Sequence, residues 1–350
     1  MNTEDVMPEA EEIDAETMEM LTRAAQLEEE GSRDEALECW RIAVARYPAD
    51  AQLLCQYADL ATDLELWSEA EETYFSVIRL APEWVGGYEA LGALYLDRNG
   101  EGDSELALRY LQRAAEMEES AHAYTYLGYV QDRLGQRIEA RVSYHAALRM
   151  DPSYEEALYN LGVSYRDEDP EESLTLFTKA IEVDSRYQSA FRELGWAEYR
   201  LDRLDAAERH IRKAIELDDA DGWAQIYLGQ LLARKGDGAS AEVAFLKALE
   251  VWQDTQDVGF ALRLLAMFYQ STGRPNEAEL FFEKSLQFDP SDPRSNLRFG
   301  IYLRDIGDTE RARLYLERAV ALDPGDRLAS STLSELGADT TARNRLDSVN

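Results

Sequence analysis

The string Asp219-Ala-Asp221-Gly222 opens like a calcium loop, with carboxylates alternating ahead of a glycine that turns the chain. Such a loop also needs an oxygen ligand two residues before Asp219 and a bidentate carboxylate at its twelfth position, and the chain places Leu217 and Leu228 there. Calcium therefore has no ligand set. Cys39 and Cys55 are the only thiols, and neither a second Cys pair nor a His cluster completes a zinc site, so they read as reduced and buried. His122, His145 and His210 stand apart, with no carboxylate pair beside them in sequence to set up a general base. The phosphate-cradling strings G-x-x-x-x-G-K-[S/T] and G-x-G-x-x-G, the nucleophile elbow G-x-S-x-G and the zinc string H-E-x-x-H do not occur. Catalysis, metals and cofactors are not expected. The chemistry left is recognition, above all by arginine beside aromatic rings, because guanidinium forks onto carboxylates while rings supply rigid apolar area.

Charge narrows the partners. Among 350 residues, 70 Asp and Glu face 36 Lys and Arg, a net charge of -34. The resulting field repels nucleic acid and anionic membrane surfaces, so neither is expected as a partner. No apolar stretch is long enough to cross a bilayer, and the acidic residues 1–15 lack the basic and apolar parts of a secretory leader, which predicts a cytoplasmic protein. Hydrophobic residues at 45% are enough for a core and exclude wholesale disorder. Only five of the basic residues are Lys. That balance suits a concentrated-salt cytoplasm, where screening weakens self-repulsion, and it also suits an ordinary acidic protein.

The elements that must position these residues repeat. An apolar residue followed by Gly recurs at Leu91-Gly92, Leu127-Gly128, Leu161-Gly162, Leu194-Gly195, Leu228-Gly229 and Phe299-Gly300, mostly 33 to 36 residues apart. Prolines close similar strings at Pro82, Pro152, Pro290 and Pro324. Within a repeat, Tyr88, Leu91, Gly92 and Tyr95 fall on one stripe of a first helix, A. Ala278, Phe282 and Ser285 show the stripe of a second helix, B, reached through a turn often marked by Gly. A small residue at position 8 lets the two helices approach, and the proline stops helix B.

This pattern resembles the tetratricopeptide repeat (TPR) family, with nine copies starting at Thr17, Ala51, Val85, Ala121, Glu155, Gln188, Gly222, Gly259 and Pro293. The resemblance implies an all-α solenoid, a right-handed superhelix of antiparallel helix pairs over residues 17–324. A capping helix is expected at 325–337 and disordered tails at 1–16 and 338–350. Extra residues at Asp97 to Ser104 predict a longer A/B turn, a one-residue deletion falls near Asp167 to Glu171, and an insertion near Thr255 to Val258 separates repeats 7 and 8.

In the family, A helices line a concave groove that receives partner peptides or helices. The arc opposite the buried stripe holds Glu28, Glu29, Asp59, Asp63, Glu89 and Asp97 in repeats 1 to 3, six acids and no base. In repeats 5 to 9 it holds Arg166, Arg192, Arg200, Arg234, Arg263, Arg294, Arg298 and Arg304 against four acids. The aromatic residues Tyr126, Tyr129, Tyr159, Trp196, Tyr199, Trp223, Tyr227 and Phe260 share this face in repeats 4 to 8. These sixteen residues are the expected site, and a protein or peptide with an acidic, apolar segment is the expected partner. Arginines at these positions could equally pair with acids of the adjacent repeat, and position alone does not separate the two. The family's carboxylate clamp, Lys at position 5 with Asn at position 9, is absent, and of the Asn ladder at position 6 only Asn160 is present. A non-enzymatic scaffold is the leading expectation, ahead of a sensor for a small signalling peptide or acidic metabolite and, further off, an RNA-reading repeat. Nothing in the pattern sets an oligomeric state.

Overall fold

The computed structural model describes residues 13–117, 120–253 and 255–347, with side chains as far as Gly337. The described residues form nineteen α-helices and no strand, and the chain divides after Ser185 into two compact units. In the first, α1 (Ala15–Glu29) pairs with α2 (Arg33–Arg46), α3 (Ala51–Asp63) with α4 (Trp67–Leu80), and α5 (Val85–Arg98) with α6 (Asp103–Met117). The pairs α7 (Ala121–Arg133) with α8 (Arg137–Met150) and α9 (Glu155–Tyr165) with α10 (Pro170–Val183) complete it. The second unit pairs α11 (Gln188–Arg200) with α12 (Leu204–Leu217), α13 (Gly222–Arg234) with α14 (Gly238–Val251), and α15 (Val258–Ser271) with α16 (Pro275–Phe288). It ends with α17 (Pro293–Asp305) on α18 (Thr309–Leu322) and a last helix, α19 (Arg327–Asp347).

Seven of the nine A helices start at the residue the repeat assigns, and α1 and α15 start two and one residues early. For four of the seven the reason is local. Asp50, Ser120, Asp221 and Asp292 stand just before α3, α7, α13 and α17, and their side chains accept the orphan amides of the first turn. Pro293 begins α17, where its missing N–H costs nothing. The turn from A to B needs a left-handed residue, and Gly135 takes φ 74° there at no steric cost.

Packing within a pair follows the small residue at position 8. A Cβ placed on Gly128 would lie 2.6 Å from the Tyr144 ring, and one on Gly162 would lie 2.7 Å from the Phe177 ring. Tyr144 and Phe177 are fully buried, so the helices touch through ring against backbone.

Departures from the period are absorbed near the ends of elements. In the third repeat α5 and α6 run to 14 and 15 residues and the turn between them contains left-handed Asn99, with Arg98 clamping the buried Asp103 at 2.6 Å. In the fifth, α9 shortens to 11 residues. The final helix runs to Asp347, ten residues past the expected end of the cap at 337, and no proline follows Gly337 to stop it. Of the expected tails, residues 1–12 and 348–350 lie outside the described residues.

Candidate partner-binding site

In the first unit, neighbouring A helices α5, α7 and α9 enclose an open hollow of about 270 Å³. Its polar lining is Asp97, Thr125, Tyr126, Tyr129, Glu156 and Asn160, and Ala93 and Leu96 add apolar wall. The hollow exists because positions 5, 6 and 9 of α7 face the next A helices and carry Thr and Tyr rather than close-packing aliphatic residues. Thr125 is buried and donates to the Ala121 carbonyl at 2.7 Å, which leaves the two phenols as the prominent groups. Burial raises the Tyr126 phenol above its ordinary pKa, and Glu156, Asp97 and Glu89 push it further up. Burial also raises Asp97, with Asp63 adding to the shift and Arg133 opposing it. At the edge, the His122 ring lies 4.6 Å from that of Tyr126 and its Nδ1 lies 3.3 Å from Glu89 Oε1.

The other expected residues of this unit sit differently. Tyr159 leans on Phe177, ring centroids 5.7 Å apart, and does not line the hollow. Arg166 is half-buried at the C-cap of the shortened α9. Of the two thiols, Cys55 is pushed up to about 12 by burial and by Asp59, which makes it a poor nucleophile.

In the second unit the aromatic residues form one continuous run across α11, α13 and α15. Trp196 stacks on Tyr199 at 5.0 Å and on Tyr227 at 4.5 Å, Tyr227 leads to Trp223 at 6.3 Å, and Trp223 meets Phe260 at 5.1 Å. Trp252, just after α14, closes on Trp223 at 5.2 Å. Trp252 belongs to helix B numbering and was not among the expected residues. Gly222, opposite it, is the signal, since any Cβ there would strike the Trp252 indole.

The arginines fall into distinct groups. Arg192 donates to Asp221 at 2.8 Å and to Glu193 at 3.2 Å, and Arg263 donates to Asp292 and, at 3.1 Å, to Ser295. Both are thus held by the acid that caps the next A helix. Burial pulls Arg263 below the usual arginine range against the pull of Asp292, and Arg294 and Arg298 lower it further, yet it stays charged. Arg234 reaches the Tyr199 carbonyl at 3.0 Å and Asp202 at 3.0 Å, with its guanidinium 5.0 Å from the Tyr199 ring centroid. Arg304 contacts Asp305 at 2.9 Å and Glu335 at 3.9 Å. Arg200 is exposed at the end of α11. Arg294 and Arg298, one turn apart on α17, are exposed and make no ion pair among the described residues.

Among the described residues no group of three or more His, Cys, Asp or Glu could hold a metal ion, and no helix is long and apolar enough to cross a membrane. His122 and His210 do each meet a carboxylate, Glu89 and Glu198, across helices rather than along the sequence.

Antiparallel helix pairs stacked through a small residue at position 8 define an all-α solenoid of repeats. Models of the tetratricopeptide repeat match residues 165–222, 222–291 and 293–326. A solved tetratricopeptide repeat protein from Parabacteroides merdae shares the fold with a TM-score of 0.59 and 21% identity, over 71% of this chain and 98% of that one. The APC/C hetero-tetramer Cut9-Hcn1 does so at 0.53 and 14% identity, over 87% and 83%. The chain carries tetratricopeptide repeats, and such repeats imply a protein-protein interaction scaffold. The peroxisomal targeting signal receptor of Kluyveromyces lactis is 29% identical over 224 residues, 62% of this chain and 38% of the receptor. The Homo sapiens protein O-mannosyl-transferase TMTC3 is 24% identical over 286 residues, 75% of this chain and 30% of the transferase. The chain therefore spans about a third of the length of these curated relatives.

Proposed function

We propose that this protein is a non-enzymatic, cytoplasmic scaffold that recruits a partner protein through a segment laid on its A helices, and that Arg294, Arg298 and Phe260 take an acidic, apolar part of that segment. The observation that carries this reading is the pair of exposed arginines on α17, without an ion pair among the described residues, in a chain of net charge -34. An open hollow of about 290 Å³ is lined by Phe260, Phe288, Arg263 and Arg294 together with Asp289 and Asp292; Asp292 neutralises Arg263, which leaves the Arg294 guanidinium beside apolar wall. Arg263 acts behind this surface as a support, since it is committed to Asp292, as Arg192 is to Asp221 between α11 and α13. The similarity to a receptor for a targeting signal agrees with a role in receiving a segment of another protein. A sensor of a small peptide or acidic metabolite is the second reading, and the openness of the hollow favours a segment that continues beyond it.

The test is to identify the partner captured from cells at native salt, purify it, and measure its rebinding to wild type and to an Arg294→Glu/Arg298→Glu variant. Charge reversal at two exposed sites should leave thermal unfolding unchanged and weaken binding about tenfold or more. Equal affinities would remove the arginine face from the binding site.

A further inference from the structure

The hollow between α5, α7 and α9 has the opposite polarity to the Arg294 face. Its lining contains two carboxylates, Asp97 and Glu156, and no Lys or Arg. The cation acting on Asp97 is Arg133, whose guanidinium is already engaged by the Leu96 carbonyl at 3.0 Å and by the Asn99 side chain. Tyr126, Tyr129, Asn160 and Asp97 line the same space and their side chains make no hydrogen bond among the described residues, while Glu156 accepts only a long one from Tyr154 at 3.3 Å. Two phenol rings beside two carboxylates provide π faces and acceptors for one group, a cation on an apolar stem. About 270 Å³ holds a single long side chain rather than a helix.

We propose that this hollow is a pocket for a Lys or Arg side chain of the bound segment: the stem lies along the Tyr126 and Tyr129 rings and the charged head meets Asp97 and Glu156. This assignment rests on the reading that the A helices receive a segment. It also redirects Tyr126 and Tyr129, which the sequence places with the arginine-rich half, towards a cationic ligand.

The test uses full-length protein with ring-labelled tyrosine, the Tyr126 and Tyr129 signals being assigned through Tyr126→Phe and Tyr129→Phe. At pH 8 and low salt it is titrated with acetylated, amidated pentapeptides Gly-Gly-X-Gly-Gly in which X is Lys, Arg, Gln or Glu, and separately with tetramethylammonium. The Lys or Arg peptide should shift both signals saturably while the Gln and Glu peptides do not. The variant Asp97→Asn/Glu156→Gln should keep its helix content and thermal unfolding and lose affinity about tenfold or more. No saturable shift with Lys or Arg, an equal shift with Gln, full affinity in the double variant, or a response to tetramethylammonium alone would each overturn the proposal. These peptides ask nothing of Arg294 or Arg298, so failure here leaves the acidic-segment reading standing, and failure of the Arg294→Glu/Arg298→Glu experiment does not touch this pocket.

Discussion

Arg263 on α15 donates its guanidinium proton to the carboxylate of Asp292, the residue that caps α17 and lies 29 positions further along the chain. Arg192 and Asp221 repeat the arrangement between α11 and α13 over the same separation. The cap carboxylate thus has two functions. It accepts the first amides of its own helix, from Arg294 and Ser295 at 3.1 Å each, and it is the counter-ion of the preceding A helix.

That double role sets the cost of removing it. Asp292→Ala strands a buried guanidinium as well as a helix cap, and it should destabilise the second unit by about 3–5 kcal/mol. Asp237, whose side chain accepts the Ser240 amide at the start of α14 and is exposed, is the comparison, and Asp237→Ala should cost clearly less. Urea unfolding followed by circular dichroism measures both. Similar losses in the two variants would mean that the ion pair adds nothing to the cap.

The close approach of helices at position 8 makes a second prediction. Gly162→Leu drives a side chain into the buried Phe177 ring and should cost about 1–3 kcal/mol by overpacking. Gly238 has no atom within 4 Å of a built Cβ and takes an ordinary φ, so Gly238→Ala should leave stability unchanged or raise it slightly. An unchanged midpoint for Gly162→Leu would contradict the register of the whole array.

His122 supplies a pH dependence. Its hydrogen bond to Glu89 raises its pKa above the ordinary 6.5, against the opposing effect of burial. A raised histidine contributes stability that is fully present below the unfolded pKa and is lost as pH rises through the folded value. Half-exposure keeps that contribution small. The measurable effect is the titration itself: the His122 ring signal should titrate above 6.5 in wild type and move down in Glu89→Gln, where burial acts without its partner. An unmoved midpoint would mean that Glu89 does not hold the proton.

Much of the fold was legible because several boundaries have a local cause. Helix starts follow from caps such as Asp50, Ser120, Asp221 and Asp292, and the helix contacts follow from glycines such as Gly128 and Gly162. The face carrying the aromatic residues was legible for the same reason, since helical period fixes direction. The use of each arginine was not. Position 5 places Arg192 and Arg263 towards the groove, but their fate depends on an acid in the next repeat, and periodicity carries no information about which of two orientations a long side chain takes. A signal did exist, because Arg followed 29 residues later by a capping Asp occurs for both residues at position 5. The polarity of the Tyr126 hollow was hidden for a related reason: its carboxylates come from the repeats on either side, Asp97 and Glu156, so sorting residues repeat by repeat separated groups that the fold joins.

The 29-residue reach from Arg263 to Asp292 also gives the second unit a direction in time. A ribosome making roughly 5–20 residues per second delivers the guanidinium roughly one to six seconds before its counter-ion. Until then α15 carries a charge that must stay wet, so its pair with α16 cannot seal in its final form. Only the arrival of the following turn, with Asp292 at its tip, allows the arginine to be covered. Each such arginine makes its own repeat wait for the next, and a chain released early, between α16 and α17, would keep an open end.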